Sequence, residues 1–288
     1  MYPASFEYLI PKDLKDATAL LGRYGNTAKL LAGGQSLVPM MKLRLARPKY
    51  LIDLNRLPGL SYIKESNGFV HCGAMTRHFV FEKSPLINEK LPLIAEAATH
   101  IADAQVRNRG TLGGALAQAD PSGDWGPVIL ALNARLKCVG LEGERVIEAK
   151  DFFSFAYTTA LQDNEILAEV AFPLQEKATC GVFLKLEKVS GDFAIVSVAL
   201  QLGVDQNNVC RAIGIGLGGA GITPIKPDSV EHFLLGKPMT ADLIEQAARM
   251  ISEQASPIDD LKGSADYKKK VLKVLFNRAV ATALQKPQ

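Results

Sequence analysis

The residues with the clearest capacity for chemistry are two glycine-marked stretches, Ala32-Gly33-Gly34-Gln35-Ser36 and Thr111-Leu112-Gly113-Gly114-Ala115. Glycine permits a positive φ and lets a ligand approach the backbone with no Cβ in the way. Consecutive N–H groups at such a turn form an anion nest, and a helix starting just after adds the positive end of its dipole. Ser36 and Thr111 add hydroxyl donors. One loop of this kind suits one phosphate. Two of them, on separate subdomains, suit a pyrophosphate held between them, and so a dinucleotide cofactor. A Gly-Gly pair is also an ordinary turn signal, and the residues alone leave both readings open. On the phosphate reading, a Cβ at Gly33 or Gly113 enters the nest and blocks the ligand while leaving the fold.

The literal GxGxxG pattern lies elsewhere, at Gly216-Leu217-Gly218-Gly219-Ala220-Gly221. That fingerprint needs a helix directly after the loop. Here Ile222-Thr223-Pro224-Ile225-Lys226-Pro227 follows, and its prolines oppose a helix. The glycines are expected instead to permit a bend or close packing at a strand end.

Other reactive side chains are dispersed. Gln35-Ser36 lacks the GxSxG context of a nucleophile elbow. Asp120 and Asp124 are a carboxylate pair with no second group suggesting acid–base catalysis. Asp124 could accept hydrogen bonds from ribose or ribityl hydroxyls, or cap the apolar helix after it; both remain open. The four histidines and four cysteines are scattered, with no CxxC pair, which argues against a zinc site or iron–sulfur cluster in this chain. The cysteines are expected to be reduced, buried and inert.

These loops need elements to hold them. Residues 13–24 read as a helix capped by Asp13 and ended by Gly25. Residues 28–31 and 50–54 read as strands, with Pro39 in the first turn of a helix between them. This helix–strand–helix–strand unit, residues 1–57, is the setting in which a glycine turn becomes functional. A second region, 58–175, has strands at 69–73, 134–140 and 165–172, a helix at 91–102, and a basic glycine-marked loop leading into an apolar helix across 106–132. Composition shifts near Pro173, and LQEKATC reads as a connector. Residues 176–288 then form a C-terminal α+β domain. It has a strand at 182–188, a hairpin about Asp205-Gln206-Asn207 and helices near 240–254 and 266–284.

Bulk properties exclude several classes. The chain has 288 residues, 48% hydrophobic and 22% charged, a globular balance rather than a disordered one. A net charge of +3 is too small to argue for nucleic acid or an anionic membrane, and Lys268-Lys269-Lys270 reads as a solvated helix face. No apolar run suits a transmembrane segment, and the first residues lack the pattern of a signal peptide.

The stretches AGGQSLVPMMKLRLARPKYLIDLNRL, VRNRGTLGG, DPSGD and LEKVSGDFA, in this order, closely resemble the FAD-binding medium subunit of bacterial molybdenum hydroxylases. That type is known from aerobic carbon monoxide dehydrogenase, and the same flavin module occurs in the xanthine dehydrogenase family. The resemblance covers essentially the whole chain. It implies an α+β protein: a two-subdomain FAD-binding fold, its N-terminal subdomain α/β and its second subdomain a larger α/β unit, followed by the C-terminal α+β domain with a small antiparallel sheet and helices. It implies non-covalent FAD, with the pyrophosphate between two segments. One is Leu30, Leu31, Ala32, Gly33, Gly34, Gln35, Ser36 and Leu37; the other is Thr111, Leu112, Gly113, Gly114 and Ala115. Asp124 matches the acidic position at the sugar hydroxyls, Ile101 the position flanking the adenine, and Leu167 and Phe193 positions lining the flavin.

The resemblance also implies partners. A large subunit with a molybdenum–pterin cofactor oxidises the substrate, and a small subunit relays electrons through [2Fe–2S] clusters. This chain takes them at FAD and passes them to a quinone, NAD or oxygen. No catalytic nucleophile, general base or metal ligand is expected in this chain, which belongs to a cytoplasmic heterohexamer, free or associated with the inner face of the membrane. The family commonly reads AGGHS, TIGGN or TIGGD, and GDY or GDW; Gln35, Ala115 and Phe193 depart from those patterns. The departures touch side chains, so FAD binding stands while carbon monoxide is not singled out. A carbon monoxide dehydrogenase-like medium subunit is the main reading, and the FAD subunit of a xanthine, aldehyde or N-heterocycle dehydrogenase is the alternative. Two other classes compete: a stand-alone flavin oxidase, which needs its own substrate pocket, and a flavin-bound assembly or sensor module.

Overall fold

The computed structural model describes residues 2–175 and 179–286. Residues 176–178 of the expected connector lie outside the described residues. Among the described residues, the strands form three sheets and one two-stranded ribbon.

The first sheet is parallel, β1 (Glu7–Leu9), β3 (Tyr50–Asp53) and β2 (Ala28–Leu31) in that spatial order. Helix α1 (Leu14–Tyr24) crosses from β1 to β2. The Asp13 carboxylate accepts from the Asp16 N–H at 2.8 Å, and Gly25 ends the helix at φ 50°. Helix α2 (Leu37–Lys42) follows the first glycine loop. Ala17, Leu21, Ala28 and Ile52 form this layer's core. Strand β1 corrects the helix–strand–helix–strand expectation. It has three largely exposed residues and no apolar alternation of its own, so pairing with β3 alone defines it.

The second sheet is antiparallel. It comprises β4 (Ile63–Ser66), β5 (Phe69–Gly73), β6 (Arg135–Gly140), β7 (Gly143–Glu148) and β10 (Ile166–Pro173), in the order β4-β5-β10-β6-β7. The ribbon is β8 (Phe153–Phe155) with β9 (Thr158–Thr159). Six short helices accompany the sheet: α3 (His78–Lys83), α4 (Pro85–Lys90), α5 (Pro92–Thr99), α6 (Ala104–Arg109), α7 (Leu112–Gln118) and α8 (Trp125–Ala131). Residues 106–109, read from sequence as the opening of a loop, instead lie in α6, where the Asp103 carboxylate accepts from the Val106 N–H at 2.8 Å and caps the helix. The core holds Phe81, Leu93, Trp125 and Phe172, all nearly inaccessible to solvent.

The third sheet is the antiparallel meander β11 (Thr179–Leu186), β12 (Val196–Val204) and β13 (Cys210–Gly218). Alternation of period two splits it between two cores. Val182, Val198, Leu200 and Leu217 join a cluster with α10 (Ala241–Gln254) and α11 (Ala265–Gln285). Phe183 and Ala199 join the core under α5 and α8. Helix α9 (Asp228–Leu234) precedes α10. In the literal GxGxxG run, a Cβ on Gly216 would lie 1.9 Å from the Pro127 carbonyl, so bare glycine lets α8 rest on β13. Lys268 is not on a solvated face: its ammonium is buried, pairs with Asp260 at 2.7 Å and donates to the Ile258 carbonyl. The four cysteines are buried free thiols. No helix among the described residues is long and apolar enough to cross a membrane.

Candidate functional site

Strand β2 delivers the chain into the first glycine loop, and Gly34 turns it at φ 74°. Among the described residues, the N–H groups of Gly33, Gly34, Gln35, Ser36 and Leu37 have no internal acceptor, nor does the Ser36 hydroxyl have a partner. The Gln35 amide folds back onto the Gly33 carbonyl at 3.2 Å. These successive unpaired donors are what an anion nest requires.

The second loop differs. Thr111 caps α7 by accepting from the Gly114 N–H at 3.1 Å. The Leu112 N–H donates to Thr76 O at 3.0 Å, Gly113 N–H to Ala74 O at 2.8 Å, and Ala115 N–H to Thr111 O at 3.0 Å. The N–H groups from Leu112 to Ala115 are therefore committed to the fold, contrary to the expectation of a second nest. Leu112 is wholly buried in the core. The loop offers the cleft instead its own surface, through Thr111, Gly113, Gly114 and Ala115.

The glycines hold the two loops against each other. A Cβ on Gly33 would lie 2.4 Å from the Arg109 carbonyl, and one on Gly114 would lie 3.2 Å from the Ala32 Cβ. A Cβ on Gly113 would lie 2.5 Å from that of Ala74. Gly33 and Gly113 are thus demanded by backbone packing, which corrects the expectation that side chains there would spare the fold. Residues unremarked in the sequence complete the clamp. The Asn55 amide donates to the Ala32 carbonyl at 2.9 Å, and the Arg77 guanidinium donates both to the Asn55 Oδ1 and to the Arg109 carbonyl.

Between the loops runs a cleft of about 500 Å³. It gathers Leu30, Ala32, Gly33, Gly34, Gln35, Ser36, Leu37 and Leu167 with the second loop. Leu31 is absent from the lining, its side chain standing beside Gly34. The walls also carry Lys29, Met40, His78, Gln118 and Tyr157, none of which the sequence singled out. Leu167 arrives through a bulge in β10, where the register shifts between Leu167 and Glu169.

Ile101, Asp124 and Phe193 do not line this cleft; Lys185 gathers their neighbourhoods into a second cluster. Its ammonium donates to the carbonyls of His100 at 2.7 Å and Asp192 at 3.0 Å. It also lies 3.3 Å from Asp124 and 2.9 Å from Glu187. Asp124 makes no side-chain cap on α8, which removes the simple capping role. Burial pushes its carboxyl up to about 7, against the opposing pull of Lys185. Its Oδ1, 3.3 Å from the Lys185 ammonium, accepts no hydrogen bond of good geometry, so it keeps acceptor capacity. Phe193 is half exposed, with the Lys262 ammonium over its ring and bonded to its carbonyl at 3.1 Å. Among the described residues no cluster of His, Cys, Asp or Glu could hold a metal ion.

Residues 4–175 match the family described as the FAD binding domain in molybdopterin dehydrogenase. Residues 182–283 match the CO dehydrogenase flavoprotein C-terminal domain. The chain is 40% identical to the carbon monoxide dehydrogenase medium chain of Hydrogenophaga pseudoflava, with 98% of each chain covered. It is 37% identical to the glyceraldehyde dehydrogenase medium chain of Sulfolobus acidocaldarius, covering 97% of this chain and 98% of the other. A solved structure of carbon monoxide dehydrogenase from Hydrogenophaga pseudoflava superposes with a TM-score of 0.97, at 40% identity and full coverage of both chains. A loop with five unpaired backbone donors, a clamped second loop and a meander domain behind them therefore belong to a known lineage: the chain is a member of the FAD-binding family of molybdopterin dehydrogenases, with the flavoprotein C-terminal domain of CO dehydrogenases.

Proposed function

We propose that this chain is the FAD-carrying electron-transfer subunit of a molybdenum hydroxylase. It receives electrons from [2Fe–2S] clusters on a small partner subunit and passes them to an external acceptor, a quinone, NAD or oxygen. The substrate is oxidised on a large molybdenum–pterin subunit. The observation that carries this reading is the cleft lined by Gly33 to Leu37, whose N–H groups are unpaired among the described residues, together with the second glycine loop. Its volume of about 500 Å³ falls in the range of cofactor sites, about 300–1,000 Å³.

The residues fit the cofactor. The first-loop N–H groups and the Ser36 hydroxyl would hold the pyrophosphate, with Lys29 supplying positive charge in the same cleft. The Asp124 Oδ1 would accept from sugar hydroxyls, Ile101 would flank the adenine, and Leu167 and Phe193 would line the flavin. Bound FAD would supply the redox chemistry, while the protein binds and orients it and sets its potential. The relatives' names include carbon monoxide and glyceraldehyde dehydrogenases, which supports a substrate pocket on another chain and leaves the substrate of this complex unassigned. Division at 57/58 and 175/176 belongs to the same proposal, supported by the separate sheets. So do a cytoplasmic location and a heterohexameric assembly.

The visible spectrum of the purified chain tests the proposal, taken before and after adding partner subunits and candidate substrates. Oxidised-flavin bands, FAD released on denaturation, and bleaching only with partners and substrate together are expected. Bleaching by substrate with the chain alone would point to an oxidase. A protein colourless even with FAD and partners would overturn the proposal.

A further inference from the structure

His78, the first residue of α3, is only 4% exposed yet lines the cleft. The Trp125 indole N–H donates to its Nδ1 at 3.1 Å. An indole nitrogen can only donate, so Nδ1 is the acceptor and the neutral ring carries its proton on Nε2. Protonating Nδ1 as well would set two N–H groups against each other. Burial, with Arg77 and Arg107 nearby, pushes the imidazole down to about 4, so the ring is neutral at physiological pH. The backbone fixes its place, because the His78 N–H donates to the Gly110 carbonyl at 3.1 Å.

The Nε2 edge lies beside Gly110, where a Cβ would come within 2.6 Å of it. Gly110 and Thr111 line the cleft together with His78. Among the described residues no protein acceptor meets Nε2, although the ring is buried and its tautomer fixed. We propose that His78 is a ligand-binding residue: its Nε2–H, held in that tautomer by Trp125, donates to an anionic phosphate oxygen seated between the two glycine loops. This rests on reading the cleft as the FAD site. A neutral donor holds an anion without adding charge, so its contribution persists above pH 7, where an imidazolium would be lost.

Nitrogen-15 NMR of the full-length chain titrated with FAD tests this directly. The expected spectrum shows His78 protonated at Nε2 before FAD is added, with that N–H signal shifting and becoming protected from exchange as FAD binds. His78→Leu should weaken FAD binding about tenfold or more, as for a hydrogen bond to a charged group. His78→Gln, which keeps an N–H within reach, should recover most of the loss. If the wild-type chain binds FAD while the Nε2–H signal does not move, His78 is not a ligand-binding residue, whatever the variants' folding. Unchanged affinity in folded His78→Leu would have the same meaning. A wild-type chain that binds no FAD would instead overturn the cofactor reading, and this proposal with it.

Discussion

The Lys185 ammonium lies 3.3 Å from the Asp124 carboxylate, across 61 residues of sequence, and the Lys185 side chain has no exposed surface. The same ammonium meets Glu187 and the carbonyls of His100 and Asp192, so one cation ties α8 to β11 and to two loops. Lys185→Met would leave the buried Asp124 and the part-buried Glu187 carboxylates without their counter-ion. Removing one partner of a buried pair costs about 3–5 kcal/mol. A urea unfolding curve of the apo protein should show a loss on that scale; a loss within about 0.5 kcal/mol, the usual size for a surface change, would mean the cluster is not structural.

Asp124 also gives a pH dependence whose sign is fixed. Burial holds its carboxyl up to about 7, above the ordinary 3.8. Lys185 opposes the shift, while Glu187 and Asp120 add to it. A folded-state value above the unfolded one means the native state binds the proton more tightly. The stability this contributes is complete below about pH 4 and is lost as pH rises to about 7. Wild-type apo protein should therefore lose urea stability relative to Asp124→Asn between pH 4.5 and 7.5. Parallel curves for the two proteins would contradict this.

The loop glycines separate packing from binding. Gly33→Ala sets a Cβ 2.4 Å from the Arg109 carbonyl, and Gly113→Ala sets one 2.5 Å from the Ala74 Cβ. Each should cost about 1–3 kcal/mol through overpacking. Gly34→Ala meets only side-chain carbons, at 3.2 and 3.3 Å, but sits at φ 74°; its cost should be roughly 1–2 kcal/mol of backbone strain. Thermal melts without cofactor measure all three, and an unperturbed melt for Gly33→Ala would show that the loops are not packed as described.

Ser36→Ala should do the reverse. The hydroxyl makes no internal hydrogen bond, so the apo protein should melt unchanged. FAD binding, followed by flavin fluorescence, should weaken by about 0.5–1.5 kcal/mol, or roughly two- to tenfold. Unchanged affinity would place the phosphate away from the start of α2.

Gly216→Ala probes the motif that imitates a nucleotide fingerprint. Its Cβ would press into the Pro127 carbonyl at 1.9 Å, where the neighbour is backbone and cannot yield cheaply. The loss should be at least about 1–3 kcal/mol, read from denaturation. In any fraction that folds, FAD affinity should match wild type.

Much of this fold was legible because its longer elements carry their own signals. Helix α10 has Thr240 as its cap, and α11 has Ser264. The β12–β13 hairpin is marked by apolar strands about Asp205-Gln206-Asn207. Several short elements were not legible. Helices α3, α4, α6 and α9 have six or seven residues, too few to be stable alone. Strand β7 is exposed at nearly every residue and exists because β6 pairs with it.

At the site, the chain's own chemistry determined where glycine would release the backbone, at Gly34, and where the next helix could begin. It also determined that no CxxC pair or cluster of ligands would recruit a metal by proximity in sequence. Only tertiary structure decided which loop keeps its donors. The second loop's N–H groups from Leu112 to Ala115 are consumed by Ala74, Thr76 and Thr111, while those of Gly33 to Leu37 stay free among the described residues. It likewise decided that Gly33 and Gly113 serve packing, that Trp125 sets the His78 tautomer across 47 residues, and that Lys185 finds Asp124. The physical reason is common to all of these. A donor's availability and a carboxylate's charge depend on what the fold places against them, and those neighbours lie far away along the chain.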